Sequence, residues 1–266
     1  MKSSVRFLAA AAFVGLALAG AASAAERRVV VADPAPPLAG AAVVGPLAGY
    51  LTAPPGAGPF PAVALIPSCL GLPENRAAFA ATLASWGYVA LYVDEFAPRG
   101  LTETCSVDFP VGPADAAAAL AFLARQPFVD ATRLAVVGFS QGGDVALAVA
   151  ASPPGGTRLN AAAAYYPPCA NRQGERLAVP TLILVGKADS VTPAEDCRAF
   201  AAGQAPGETR LVVLPGAGHL FDDPAYAGGR VVMGMWLVYD RPVAARAEQE
   251  LRRFLAATLS QRRDGD

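Results

Sequence analysis

Short apolar runs recur along most of the chain, separated by longer alanine-rich segments. Each run is apolar at nearly every position, which is typical of strands buried on both faces of a sheet. The runs predict six strands, at residues 62–66, 88–93, 134–139, 161–166, 181–185 and 211–214. The intervening and final segments predict five helices, at 74–86, 114–125, 142–151, 193–202 and 244–259. Their alternation predicts an α/β fold, with a mostly parallel sheet and helices on both faces.

The amino terminus has a different pattern, in which basic residues precede a short apolar run. Lys2 and Arg6 come before apolar residues 7–18, and an A-x-A sequence closes the segment at 22–24. This order predicts a secretory signal peptide over residues 1–24. A membrane anchor is disfavoured because a spanning helix needs roughly 20 apolar residues. We therefore expect an exported protein, periplasmic or secreted, whose residues 25–266 form a single domain.

Two further local patterns predict structure outside the main alternation. Proline- and glycine-rich stretches at 33–37 and 54–61 bracket segments 41–44 and 49–52, which predict a hairpin at the sheet edge. The sequence Thr192-Pro193-Ala194-Glu195 predicts a capped helix start, with Thr192 as the cap and Glu195 reaching back to it.

Composition narrows the classes of function. The chain has 266 residues, 54% hydrophobic and 16% charged, with 21 basic and 22 acidic side chains. This balance excludes intrinsic disorder and nucleic-acid binding driven by bulk charge. Loss of the signal peptide would leave a formal charge of about −3. The four cysteines of an exported chain favour disulfides, and no CxxC or HxxxH spacing indicates a zinc site.

The clearest chemical motif is Gly138-Phe139-Ser140-Gln141-Gly142, between a predicted strand and a predicted helix. This is the G-x-S-x-G nucleophile elbow in its strand–turn–helix context. The two glycines permit the strained turn and the close approach of strand and helix. The serine hydroxyl would then be exposed at the carboxyl edge of the sheet. We predict that Ser140 is a nucleophile.

A serine nucleophile needs a base, most often histidine, and an acid that orients the base. The chain contains one histidine, His219, on a predicted loop after the strand at 211–214. The α/β-hydrolase order of serine, acid and histidine places the acid between them, and Asp189 follows the strand at 181–185. The weaker candidates are Glu195 and Asp196 in the next predicted helix, and Asp222 and Asp223 after the histidine.

An oxyanion hole on this fold uses two backbone N–H groups. Gln141 follows the nucleophile and supplies the first. Cys69 or Leu70, on the loop after the strand at 62–66, supplies the second, and Cys69 is preferred. Cys69 could instead be a thiol nucleophile, but no second histidine is present to activate it.

Together these motifs resemble the dienelactone hydrolase family of α/β-hydrolases, in an exported form with a serine nucleophile. The resemblance runs from about residue 61 to 259. It rests on Gly71 with the loop before it, residues 94–100, the Ser140 elbow, Gly186 with Asp189, and His219 with Phe221-Asp222. It implies hydrolysis of small-molecule esters or lactones through an acyl-enzyme, without a cofactor or a metal. Neither nucleic-acid binding nor membrane insertion after signal cleavage is implied.

The chain departs from that family in two respects. The namesake enzymes use cysteine as nucleophile, whereas Ser140 stands here, so a cysteine-specific activation cycle is not implied. They also hold a substrate carboxylate with arginines. Only Arg99 falls near a matching position, one residue further from Asp94 than expected, and dienelactone itself is a doubtful substrate. Arg99 is either a substrate-binding residue or a surface or salt-bridged arginine.

The cysteines fit the implied fold. Cys69 and Cys105 would follow neighbouring strands, and Cys169 and Cys197 would lie on a loop and the helix after the next strand. We predict the disulfides Cys69–Cys105 and Cys169–Cys197 among the three pairings that four cysteines allow. The first would restrain the oxyanion loop.

Three alternatives stay open at this point. Residues 228–240 contain an apolar stretch that is either a core element or an apolar wall or lid over the site. The fold also supports a serine peptidase, which would be distinguished by comparing peptide and ester substrates. The remaining alternative is a non-catalytic exported binding domain.

Overall fold

The structure, a computed structural model, describes residues 25–33, 35, 45–109, 111–205 and 207–259. Eight strands form one sheet: β1 (Arg27–Ala32), β2 (Leu47–Thr52), β3 (Phe60–Ile66), β4 (Val89–Asp94), β5 (Val129–Phe139), β6 (Ala161–Tyr165), β7 (Thr181–Gly186) and β8 (Thr209–Leu214). A separate hairpin contains β9 (Arg230–Val232) and β10 (Met235–Leu237). The helices are α1 (Arg76–Ser85), α2 (Gly112–Ala124), α3 (Gln141–Ala151), α4 (Ala194–Ala202) and α5 (Arg241–Leu259).

The predicted mostly parallel sheet is confirmed. Its strand order is β1-β2-β4-β3-β5-β6-β7-β8. β2 pairs antiparallel with both β1 and β4, and the six strands from β4 to β8 in this order pair parallel with one another. The six predicted strands are β3 to β8. Their apolar runs are continuous because the sheet is covered on both faces. Along β3, Ala62, Ala64 and Ile66 enter one core, whereas Val63 and Leu65 enter the other.

Helices cover both faces, as the alternation predicted. α2 and α3 contribute to one core through Leu120, Leu123 and Leu147. α1 and α5 contribute to the opposite core. α5 buries a stripe with helical spacing, at Ala247, Leu251, Phe254, Leu255 and Leu259.

The edge of the sheet differs from the prediction. Residues 49–52 do form part of a strand, β2, but it lies second from the edge, and the strand at the edge is β1. The pattern missed β1 because Arg27, Arg28 and Val30 are exposed, so the run lacks the continuous apolar character of a central strand. Residues 1–24 and 41–44, the predicted signal peptide and the other half of the predicted hairpin, lie outside the described residues.

The predicted capping box at Thr192 is wrong. α4 begins at Ala194, the residue before it is Pro193, and no side chain caps this helix. The Thr192 hydroxyl turns inward instead and lies 2.9 Å from Oδ2 of Asp189. The bond to a buried carboxylate replaces the bond to the helix terminus.

The sheet order creates a cleft at the centre of its carboxyl edge. β4 lies on one side of β3, and β5 lies on the other side. The chain therefore leaves β3 and β5 toward opposite faces, and the loops that follow them separate. Ligand sites of open α/β sheets form at such points, where the strand order reverses. Ser140 follows β5, and Cys69 follows β3.

Both predicted disulfides, Cys69–Cys105 and Cys169–Cys197, are present. Among the described residues, no helix is long and apolar enough to cross a membrane.

Candidate active site

Ser140 occupies a strained turn between β5 and α3. Its φ of 53° lies in the left-handed region, which costs free energy for any residue with a Cβ atom. The two glycines of the elbow make this turn sterically feasible. A Cβ at Gly138 would overlap the carbonyl of Gly142, and a Cβ at Gly142 would overlap the carbonyls of Ile66 and Pro67. The chain therefore presents Ser140 at the cleft while strand and helix remain in contact.

His219 contacts Ser140 directly. Its Nε2 lies 3.0 Å from the serine Oγ, within hydrogen-bond distance. The imidazole is 2% exposed and packs against the Tyr166 ring, with centroids 4.7 Å apart. The backbone of His219 is also held, because its carbonyl accepts a hydrogen bond from the Val238 N–H at 3.1 Å. The ring therefore has little freedom to leave the serine.

Asp189 lies on the other side of the imidazole. Its Oδ2 is 2.7 Å from Nδ1 of His219, and its Oδ1 accepts from the backbone N–H groups of Val191 and Thr192 at 2.8 and 2.9 Å. Burial by itself would raise the pKa of Asp189, but the bonds to His219, Thr192 and Val191 outweigh it and lower the pKa. The carboxylate thus stays ionised and fixes a proton on Nδ1, which leaves Nε2 free to accept the serine proton.

The weaker acid candidates lie elsewhere. Asp222 accepts a hydrogen bond from the Tyr166 hydroxyl at 2.6 Å, and Asp223 accepts one from the Ala225 N–H. Burial, with a smaller contribution from Asp223, raises the pKa of Asp222 to about 7 despite the bond from Tyr166. Glu195 and Asp196 lie in the first turn of α4. None of the four forms a hydrogen bond with His219 among the described contacts.

Two backbone N–H groups beside Ser140 are the candidate oxyanion donors. Gln141 is the first residue of α3, so its N–H has no partner within the helix. On the facing loop, the Leu70 N–H donates to Oγ of Ser68 at 3.3 Å. Within the described residues, the Cys69 N–H donates no hydrogen bond, which favours Cys69 over Leu70 as the second donor.

Arg99 lies in a different place from the one expected of a substrate-binding residue. Its guanidinium pairs with Asp115 of α2 at 2.9 Å and donates to the Glu95 carbonyl at 2.6 Å. The side chains of Arg99 and Asp115 are both 0% exposed. The geometry therefore favours a salt-bridged Arg99 over a substrate-binding one, because the guanidinium is buried against α2 rather than presented to the cleft.

A small pocket lies next to the site and is lined by chain neighbours of Ser140 and His219 rather than by those two residues themselves. Pro67 and Ser68 of the oxyanion loop, Phe139 before the nucleophile and Leu220 after the histidine contribute to its wall. The remaining lining residues are Pro73, Asn75, Phe79, Tyr92, Tyr166, Asp222 and Asp223. Its surface combines aromatic and aliphatic groups with a few polar ones, and the lining of described residues includes no lysine or arginine. Such a surface suits a small, mostly apolar group.

The apolar stretch at 228–240 forms the β9–β10 hairpin beside the histidine loop. Leu237 is fully buried and bridges to His219, whereas Val231, Met233 and Trp236 are 65%, 54% and 48% exposed. The core prediction therefore holds for one end of the stretch only. The hairpin contacts the backbone that carries His219, and its exposed side chains face solvent.

The described residues contain no cluster of three or more His, Cys, Asp or Glu side chains that could hold a metal ion.

Comparison with known proteins identifies the family. The family model of the dienelactone hydrolase family matches residues 47–259. The chain belongs to the dienelactone hydrolase family. That assignment agrees with the α/β-hydrolase sheet and with the position of the Ser140 elbow, and it makes the protein a hydrolase by family.

Several solved structures share the fold. One is a dienelactone hydrolase-like promiscuous phosphotriesterase, P91, from metagenomic libraries. It is 22% identical with a TM-score of 0.70, over 89% of this chain and 99% of that chain. Esterase 2 of Thermogutta terrifontis, solved after phosphorylation by paraoxon, is 19% identical with a TM-score of 0.64, over 89% and 96% of the two chains. At these identities the likeness shows the fold alone.

Two Mycobacterium tuberculosis proteins, from strains CDC 1551 / Oshkosh and H37Rv, are described as phosphoribosyl transferases and match part of the chain. Each is 35% identical over 103 residues, which cover 39% of this chain and 23% of the relative. The match spans less than a quarter of their length.

Sequence reasoning missed several residues that shape the site. Tyr166 packs on the histidine ring, Thr192 donates to the acid, and Thr104 bonds to Gln141. None belongs to a catalytic motif, although Thr192 lies in the predicted capping motif. Tyr166 alone has a local signal, because it directly follows β6, a strand that leads to the cleft, but its left-handed φ of 39° is visible only in the structure.

Proposed function

We propose that the protein hydrolyses carboxylic esters or lactones of small molecules through an acyl-enzyme on Ser140. The observation that carries the proposal is one continuous chain of hydrogen bonds. Oγ of Ser140 lies 3.0 Å from Nε2 of His219, and Nδ1 of the same ring lies 2.7 Å from Asp189. An elbow serine, a base and an orienting acid in this order are the parts that acyl transfer requires.

The first half-reaction forms the acyl-enzyme. Oγ of Ser140 attacks the ester carbonyl carbon while its proton moves to Nε2 of His219, and Asp189 stabilises the resulting imidazolium. The carbonyl oxygen becomes an oxyanion held by the N–H groups of Gln141 and Cys69. Collapse of this intermediate breaks the carbon–oxygen bond of the ester, and His219 returns the proton to the leaving alcohol.

The second half-reaction releases the acid. Water attacks the acyl carbon and gives a proton to His219, and the same N–H groups hold the new oxyanion. The carbon–oxygen bond to Ser140 then breaks as His219 returns the proton to the serine. The products are a carboxylic acid and the free enzyme, and no cofactor is consumed.

The substrate class follows from the groups around the cleft. Arg99, the candidate for binding a substrate carboxylate, is buried against Asp115, and the adjoining pocket has aromatic and aliphatic walls with Asp222 and Asp223 beside them. A free carboxylate elsewhere on the substrate would meet acidic groups there rather than a cation. We therefore expect uncharged esters and lactones to be better substrates than anionic ones such as dienelactone.

The experiment is a substrate screen of the purified protein beside Ser140→Ala. It compares an uncharged p-nitrophenyl alkanoate, the hemiglutarate ester of similar length, a γ-lactone and an aminoacyl p-nitroanilide. Turnover of the uncharged ester or lactone that is absent in the variant supports the proposal. Preference for the anilide would favour a peptidase, and no turnover in a folded protein would favour a binding domain.

Export remains part of the proposal. The two disulfides among the described residues support it, because disulfides persist in oxidising compartments. Amino-terminal sequencing of the protein recovered from periplasm and medium would test the cleavage expected after residue 24.

A further inference from the structure

Thr104 contacts both segments that carry the proposed oxyanion donors. It lies in the loop between β4 and α2 and is 0% exposed. Its backbone N–H donates to the carbonyl of Cys69 at 2.7 Å, and its hydroxyl donates to Oε1 of Gln141 at 2.6 Å. We infer that Thr104 is a positioning residue that sets the separation of the two N–H groups of the oxyanion hole. The inference rests on the proposed function.

The two donors need such a connection because they belong to different parts of the chain. Gln141 begins α3 after β5, whereas Cys69 lies in the loop after β3. Oxyanion stabilisation requires both N–H groups within about 3 Å of one oxygen atom. A displacement of about 1 Å in either segment would therefore weaken the stabilisation of the transition state.

The contacts of Thr104 act on the donor that lies outside regular secondary structure. The helix fixes the backbone of Gln141, but the loop at 67–71 has no regular structure and ends at Gly71, whose φ is 104°. The bond from Thr104 to the Cys69 carbonyl orients the peptide unit directly after the proposed donor. The hydroxyl bond then connects that loop to the first turn of α3.

Neighbouring contacts hold Thr104 against this loop. The next residue, Cys105, forms a disulfide with Cys69. A Cβ at Gly71 would come within 2.7 Å of the Thr102 carbonyl, so a glycine is needed for the two loops to approach this closely. The disulfide restrains the distance between the loops, and the Thr104 hydroxyl adds a hydrogen bond from them to the first residue of α3.

The test replaces the hydroxyl without changing the shape of the side chain. Thr104→Val keeps the backbone bond to Cys69 and removes the bond to Gln141. We expect kcat for an uncharged p-nitrophenyl ester to fall about 10-fold, with KM changed less than about 2-fold. The loss is smaller than the 10²–10³-fold expected when a whole donor is removed. Thr104→Ser restores the hydroxyl, and its kcat should lie within about 2-fold of the wild type.

A matched control and a transition-state probe exclude a merely structural role. Thr102→Val makes the same change at an exposed position of the same loop, and it should leave kcat unchanged. Binding of a trifluoromethyl ketone, which forms an oxyanion on Ser140, should weaken in Thr104→Val by the same factor as kcat/KM. If Thr104 only stabilised the fold, Thr104→Val would lower the melting temperature but would change neither kcat/KM nor the affinity for the trifluoromethyl ketone.

Gln141→Met tests the same bond from its other end. It removes the amide and should lower kcat to the same extent, and the double variant should be no slower than either single variant. If Thr104→Val does not fold, the two single variants Gln141→Met and Thr104→Ser test the inference in its place. Full kcat in Thr104→Val or Gln141→Met, or a Thr104→Ser as slow as Thr104→Val, would overturn the inference while ester turnover persists. Absence of ester turnover in the wild type would overturn the proposed function itself.

Discussion

Two clusters of buried ionisable side chains lie beyond the carboxyl ends of the strands, and they differ in how their carboxylates are held. One contains Asp189 and His219 beside Ser140; the other contains Glu95 and Asp115 around Arg99. Every member of both is at most 9% exposed, so burial does not distinguish them. Residue type does not distinguish them either, because each pairs a carboxylate with a nitrogen base.

Hydrogen bonds make the difference. Both oxygens of Asp189 accept bonds, and its pKa is lowered. Within the described ranges, Oδ2 of Asp115 and Oε1 of Glu95 are buried without a hydrogen-bond partner. Burial raises the pKa of Asp115 to about 6 against the opposing effect of Arg99, and burial and the charge of Asp115 raise that of Glu95 well above its usual value. Preorganised donors lower the pKa of Asp189, whereas the carboxyls of the other cluster have raised pKa values, Glu95 most clearly.

The largest expected effect is a loss of turnover when residues of the Ser140 cluster are replaced. Ser140→Ala and His219→Ala should each lower kcat by about 10⁶-fold, because the two residues act as a unit. Both variants should fold, since each shortens a side chain without adding bulk or charge. The measurement is kcat for an uncharged ester together with circular dichroism. Turnover retained within 100-fold in either folded variant would remove that residue from its assigned role.

The next effect tests the ionised acid. Asp189→Asn keeps the shape of the side chain but should favour the wrong imidazole tautomer, with a loss in kcat of about 10⁴-fold. Glu195→Gln, an equal charge change on the exposed surface of α4, is the matched control and should retain full activity. Equal activities of the two variants would assign the acid elsewhere.

The second cluster should respond in stability rather than in rate. Asp115→Ala leaves the buried Arg99 without its carboxylate, which should cost on the order of 3 kcal/mol of unfolding free energy. Denaturant unfolding measures this loss, and kcat of the folded fraction should stay within about 3-fold. Glu195→Ala, which breaks an exposed pair with Arg198, should cost less than about 1 kcal/mol. A large loss of kcat in folded Asp115→Ala would place this cluster in the catalytic machinery.

The smallest effect concerns Asp222, whose raised pKa of about 7 predicts a pH dependence of stability. A carboxyl whose pKa is raised by folding binds its proton more tightly in the folded state. It stabilises the protein at low pH, and this stability is lost as pH rises through about 7. Relative to Asp222→Asn, the wild type should lose at most about 1.4 kcal/mol per pH unit between pH 5 and 7. Parallel stability curves for the two proteins, with exposed Asp33→Asn as control, would contradict this.

Much of the fold could be predicted from local patterns. Continuous apolar runs predicted β3 to β8, because strands buried on both faces leave the same signal at every position. β1 escaped prediction because its exposed arginines and valine at an edge carry no such signal. The Thr192 cap failed for a different reason, since a tertiary bond to Asp189 outweighed the local bond to a helix end.

The candidate site likewise contains residues that local sequence could predict and residues that only tertiary packing brings together. The Ser140 elbow is local in sequence, and the order of residues along the fold placed Asp189 and His219. Arg99 could not be resolved from the sequence, because its partner Asp115 is 16 residues away and only packing of the loop on α2 brings them together. Thr104 left no signal because its function depends on two loops meeting.

The most direct test of the account is intact-mass spectrometry of the protein after reaction with a fluorophosphonate, beside Ser140→Ala and followed by peptide mapping. The account predicts one adduct per chain, located on Ser140, and none in the variant. No adduct in the folded wild type, or an adduct that persists in the variant, would contradict an activated serine at the centre of this site.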